Sequence, residues 1–364
     1  MTTAVVEPVA TKLAFGDDDE GTAVEPSMSV SGGPGGNFHA PIHESLTLST
    51  LINVPNSGVA PGTSLSSANN ADWEFIRGVV WNDDPAGLLF EDKADANHAY
   101  STGAMWWIKY NAGEEEWNPS QLDDDRFYNV IGRSHYGDMQ FLHCMAAAPG
   151  EQPAETKRSV MIWMEVMYKL SNGEEGITLD TLVKNSKLGD LLATPDDVPG
   201  GSIPPRFQSL SYMLAPKSPF QAIDIRRRAL GSMLHVIQDS YAIGHTQRVP
   251  LNKDDQTNTD PLAYKPGTTD RWGAILNFHT YFGQNGDKHG HYDHPFDAIP
   301  DPEDLGNLDQ WNGMIGCRDA VDKCIALARM RFEGKKWDDG VARFLDEEVF
   351  AVDERATPAN NHVG

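Results

Sequence analysis

The sequence predicts an all-α fold, a single multi-helix domain with a flexible N-terminal tail and inserted loops. Two observations predict it. Helix-like apolar patterning recurs along the 364 residues, among other places over 73–90, 134–148, 159–170, 231–248, 271–283 and 311–350. In addition, His235 with Asp239 and His289 with Asp293 stand at i,i+4 spacing, which puts paired side chains about 40° apart on one face of a helix.

Taken in order, residues 1–36 contain DDDE, scattered Ser, Thr and Pro, and a closing SGGPGG, a composition that buries too little apolar surface to order itself and reads as a flexible tail. Apolar positions resume in NFHAPIHESLTLSTLI, where a helix-like pattern begins at His43. WEFIRGVVWNDDPAGLLF, from Trp73 to Phe90, is an apolar helix ended by an acidic turn and Pro85. Residues 91–130 are rich in charge and aromatics and read as an insertion, its Trp106 and Trp107 being candidate anchors at a lipid surface or candidates for core packing. In SHYGDMQFLHCMAAA, His135 lies near the predicted helix start, and His143, among Phe141, Leu142 and Met145, reads as a buried residue. An amphipathic helix over 159–170 follows, then loops marked by SNGEEG and DDVPGGSIPP.

GSMLHVIQDSYAIGHTQR, from Gly231 to Arg248, packs two histidines and an aspartate into otherwise apolar sequence, and the chain is organised around it. His235 and Asp239 can grip one cation, while His245 either points away from them or lies beyond a helix end at Gly244, so it suits a neighbouring ion. Capped, hydrogen-bonded core residues would read the same way. Against that stands the bunching of the twelve histidines, mostly in His39/His43, His135/His143, His235/His245 and His279/His289/His291/His294. Beyond a polar loop over 249–270 and the helical pattern of 271–283 comes QNGDKHGHYDHP, where His291 and His294 are alternatives to the His289–Asp293 pair. Val321, Ile325, Ala328 and Phe332 at helical spacing announce a packing helix, and residues 351–364 read as a frayed end.

Composition sets bounds on partners. A net charge of −24 repels polyanions, the single dense basic run being Arg226 to Arg228, so nucleic acid is disfavoured and zwitterionic lipid headgroups are tolerated. Cys144, Cys317 and Cys324 are too few for a disulfide framework or a thiolate metal site. No stretch approaches the ~18 apolar residues of a membrane span, and the start lacks a secretory signal. The expectation is a soluble protein, cytoplasmic or exported by another route.

The run H-x-x-x-D-x-x-x-x-x-H at His235, Asp239 and His245, followed by H-x-x-x-D at His289 and Asp293, resembles the zinc-dependent phospholipase C family, whose second motif usually ends in Glu. That superfamily also holds zinc nucleases acting on single strands. QDSYAIGHTQR and FHTYFGQNGDKHGHYD look most like its bacterial phospholipase C branch. The resemblance implies an all-helical protein with about three Zn2+ ions in one cleft, acting on a phospholipid with peripheral membrane contact. It implies one ion held by Asp83, His135, His235 and Asp239, with Asp84 as alternative to Asp83. A second would be bridged by Asp239 and held by His43, and a third held by His245, His289 and Asp293. Asp83 or a metal-bound hydroxide would be the base. The family's N-terminal Trp ligand has no counterpart here, and His39 either replaces it or is structural.

Overall fold

The computed structural model describes residues 42–88, 96–122, 124–192, 205–216, 224–251, 271–284 and 300–362. His39, His289, Asp293, His291 and His294 lie outside them, as does the 1–36 segment. The described residues are mostly helical, with one small two-stranded sheet that the all-α expectation did not include.

Helix α8 (Ile225–Asp239) is the axis. Asp224 caps its N-terminus by accepting from the amides of Arg226 and Arg227, and all of its residues but those two arginines are buried. A helix buried all round must be enclosed by others. α2 (Asn70–Trp81), α5 (Pro153–Asn172), α1 (Ile42–Ile52) and α9 (Cys317–Phe332) enclose it. The tightest crossing is with α2, because glycines face each other there: a Cβ added to Gly231 would meet Phe75 O at 2.1 Å, and one added to Gly78 would meet Arg228 O at 2.2 Å. Backbones touching at that point bring the C-terminal end of α2, and Asp83 just beyond it, alongside α8.

The 134–148 segment is not one helix. α4 (Val130–His135) ends where the continuous reading had it start, and a 3-10 turn follows at Gln140–His143 before Cys144 takes a left-handed φ of 53°. Gly137 lies so close to the Trp117 indole that a Cβ there would stand 2.4 Å from it, and the chain turns at this contact. His135 and His143 therefore come from different elements.

The 271–283 segment is a strand and not a helix. β1 (Thr246–Pro250) pairs antiparallel with β2 (Trp272–Phe278), in register Thr246↔Phe278. A short apolar run without helix-length periodicity fits either element, and here backbone pairing on both sides of β2 decides. The second side is taken by 351–362, the predicted frayed end: Ile275 N donates to Ala351 O, Asp353 N to Ile275 O and Thr280 N to Asn360 O.

The 91–130 insertion carries helix α3 (Ala96–Glu116). Its Trp106 is buried with its indole N–H on Asp83 O at 2.9 Å, so it is an inward-facing residue rather than a lipid-surface anchor. No helix among the described residues is long and apolar enough to cross a membrane.

Candidate metal centre

Five histidines and two aspartates converge at the C-terminal end of α8. His235 and Asp239 come from its last turns, where Nε2 of the first lies 2.8 Å from Oδ2 of the second, as their i,i+4 spacing dictates. α1 brings His43, whose Nε2 stands 3.2 Å from Asp239 Oδ1 and whose ring stacks on His235 at 4.2 Å between centroids. The 3-10 turn brings His143, with Nδ1 2.9 Å from Asp239 Oδ2 and 3.0 Å from His235 Nε2. His245, past the helix end, puts Nδ1 3.4 Å from Asp239 Oδ2. Asp83 closes the open side: its oxygens lie 3.7 Å from His135 Nε2 and 3.8 Å from both His143 Nδ1 and His235 Nδ1. Those separations exceed hydrogen-bond reach but approach the ~3.3 Å kept by two ligands each ~2.0 Å from one tetrahedral zinc.

Among the described residues, three overlapping groups have donor atoms within 4.8 Å of one another: His43–His235–Asp239, Asp83–His143–His235 and His143–Asp239–His245. Asp84 is turned away, accepting from the Leu88 amide through Oδ2. His135 stands outside these groups, at the edge of the cluster. Trp106, Tyr110 and Tyr281 meet its ring edge-on, and the hydroxyls of the two tyrosines bond at 2.5 Å.

The hydrogen bonds behind the cluster set imidazole tautomers. His135 Nδ1 lies 3.0 Å from Ile131 O, and His245 Nδ1 lies 2.8 Å from His143 O. A carbonyl only accepts, so the Nδ1 atoms of both rings carry protons. His43 Nδ1 donates to Gln238 Oε1 at 2.6 Å, an amide oriented by its own donation to Thr47 Oγ1. In His43 this partner fixes the outward nitrogen and leaves Nε2 toward Asp239, as metal-ligating histidines require, whereas in His245 it is Nδ1, the nitrogen 3.4 Å from Asp239, that carries the proton.

Charge adds to this. Burial opposes ionisation of Asp239, but His235, His245 and His43 beside it hold the carboxyl well below the usual range. Asp83, likewise opposed by burial, is held at about 2 by His235, His135 and His143. Burial also works against a charged His43, yet Asp239 raises it to about 9, since its Nε2 must otherwise present a lone pair to a carboxylate oxygen. Among the described residues, His235 Nδ1 and Asp83 Oδ2 are buried with no hydrogen-bond partner, and Asp239 Oδ1 has only the His43 Nε2 contact at 3.2 Å. Unpaired buried acceptors are costly, and a cation among them removes the cost. The residues present fit a divalent metal.

His143 is the residue that sequence reasoning assigned to the core. The paired histidines of 134–148 were the available signal, but which of them faces inward depends on where the helix breaks. No family model, no curated protein and no solved structure matches the chain.

Proposed function

We propose that the protein is a zinc-dependent phosphodiester hydrolase that cleaves phosphatidylcholine-type lipids on the glycerol side of the phosphate, releasing diacylglycerol and phosphocholine. The observation that carries this reading is the convergence of imidazole nitrogens and two ionised carboxylates, with no thiolate, on buried space where His235 Nδ1 and Asp83 Oδ2 lack partners among the described residues. That donor set suits hydrolytic zinc. When bound, zinc supplies Lewis acidity toward a phosphoryl oxygen and lowers the pKa of water.

The chain's own residues then have separable tasks. Asp239, buried between imidazoles from α1, the 3-10 turn and α8, anchors the centre. Asp83, its side chain 15% exposed while those of Asp239 and His235 are at 1% or less, stands where a ligand would enter. A carboxyl held near 2 is a weak proton acceptor and a good anionic ligand, so its weight lies on holding metal more than on proton abstraction. Trp106, Tyr110 and Tyr281 wall the same side with aromatic surface that excludes water and can face a quaternary ammonium.

Substrate class follows from charge. At −24 the protein repels a polyanionic strand and an anionic membrane, while a choline headgroup brings its own cation. The sequence resemblance supports the same choice and an ion count of about three, with the His289–Asp293 pair outside the described residues. Phosphocholine release from phosphatidylcholine vesicles is compared with nucleotide release from single-stranded DNA at equal enzyme, each with chelator and with zinc restored. Zinc-dependent phosphocholine release is expected to dominate. Faster nucleotide release would replace the lipid reading with the nuclease one, and zinc content without either activity would leave a metal-stabilised interaction protein.

A further inference from the structure

Behind the cluster lies a buried polar relay whose hydrogens can be assigned from acceptor chemistry alone. Ser134 Oγ lies 2.5 Å from Asn82 O and 3.0 Å from His143 Nε2. The Asn82 carbonyl can only accept, so the single hydroxyl proton of Ser134 is committed to it. The Ser134 oxygen therefore meets His143 as an acceptor, and Nε2 must be the protonated nitrogen of that ring. In the neutral ring, His143 Nδ1 on the far side then carries the lone pair, facing His235 Nε2 at 3.0 Å as well as Asp239 Oδ2 at 2.9 Å and Asp83 Oδ1 at 3.8 Å. Asn82 holds the relay rigid. It is fully buried, its amide donates to Leu142 O at 2.7 Å and to Ser232 O at 3.3 Å, and its side-chain oxygen accepts from Ser232 Oγ at 2.6 Å. One side chain thus ties together the turn bearing Asp83, the residue before His143 and the helical turn before His235.

We propose that His143, and not His135, ligates metal through Nδ1 in this centre, and that Ser134 is a positioning residue that imposes the required tautomer through the Asn82 carbonyl. This rests on the metal reading of the site and adds a ligand and its support. His135 has the opposite arrangement. Its Nδ1 is fixed by Ile131 O, its Nε2 faces Asp83 at 3.7 Å, and among the described residues no third donor forms a close group with them. It borders the centre as part of the aromatic wall.

The test is zinc affinity of the metal-stripped full chain, measured by competition with a chromophoric chelator, with Co2+ absorption as a second readout of imidazole ligation. His143→Gln is expected to weaken zinc at least 100-fold and to change the cobalt spectrum, while His135→Gln stays within threefold of the unsubstituted chain and leaves the spectrum in place. Ser134→Ala is expected to weaken zinc 10- to 100-fold, the usual effect of losing a partner behind a ligand. Ser134→Thr, which keeps the hydroxyl, should restore affinity to within threefold. Ser134→Cys, close in size with a poor acceptor, carries the same comparison if the alanine variant does not fold. Zinc bound as tightly by His143→Gln as by the unsubstituted chain, or weakened by His135→Gln instead, overturns the assignment. Unchanged affinity in both Ser134→Ala and Ser134→Cys overturns the relay. Failure of the unsubstituted chain to bind zinc at all sinks the metal reading and this proposal with it.

Discussion

Asp239 sits within 3.4 Å of four imidazoles and is the carboxylate shared by two of the three close donor groups among the described residues, Asp83 belonging to one. Asp239→Ala is expected to remove more metal than His245→Ala, and to lower zinc affinity by at least ~100-fold, since charged ligands carry most of the electrostatic attraction for a divalent ion. Equilibrium dialysis followed by elemental analysis checks it, and equal zinc content in the two variants would reverse the ranking. His43 gives a pH signature. Its pKa in the folded metal-free chain is about 9, above an ordinary value of 6.5, so its stabilisation is fully present below about 6.5 and is lost as pH rises through 9. The melting temperature of the stripped protein is expected to fall across that window, and His43→Gln should flatten the fall. Zinc loading at pH 7 should release a proton, seen as a buffer-dependent heat of binding. The sequence made His235 and Asp239 visible because i,i+4 spacing is a local property. His143 and its support by Ser134 and Asn82 were not visible, since the relay joins residues 52 positions apart and depends on a helix end at His135, before Gly137 packs against Trp117.

At the scale of elements, the centre depends on how closely α2 and α8 approach. Gly78 and Gly231 allow backbone contact, and the crossing is locked by Arg228, whose Nε donates to Glu74 Oε2 at 2.8 Å while Arg77 holds the other oxygen of the same carboxylate at 2.7 Å. This pair is nearly fully buried, and each partner left alone would be an uncompensated charge. Gly231→Ala would force its methyl to within 2.1 Å of Phe75 O, which only a shift of one helix relieves. The expected cost is about 3 kcal/mol or more, at the upper end for overpacking, because backbone cannot rotate away as a side chain can. Urea denaturation measures it. A loss below about 1 kcal/mol would mean that the helices slide freely at this point. α2, α5, α8 and α9 were legible as apolar periodic runs because each buries a face along several turns. β2 was not, because its seven residues are held by backbone bonds to two other segments and show no side-chain period that excludes a helix.

For the molecule as a whole, the end of the chain is structural support for the centre. His279, at the end of β2, donates its amide to His245 O at 2.9 Å and accepts the Ala146 amide at 2.9 Å, thereby linking the two segments that deliver His245 and His143. Residues 351–362 hold β2 from its other side, and Asn277, buried there, gives its amide to Thr357 O, Thr357 Oγ1 and Pro358 O. Glu151 and Gly150, beyond Ala146, are also tied to Ala359 by backbone bonds. The polar composition of 351–364 gave no sign of this, since a segment docked through its backbone needs few apolar side chains. Truncation after Phe350 gives up these bonds at about 1 kcal/mol net each, offset in part by the entropy regained by the freed residues. The truncated chain is expected to unfold at lower urea, and also to bind zinc more weakly, because β2 can then shift and take His245 with it. Alanine at Asn277 in the full-length chain should reproduce a smaller part of both effects. A truncation that lowers stability but leaves zinc affinity intact would show that the end of the chain braces the sheet alone and that the ligand-bearing segments keep their places without it.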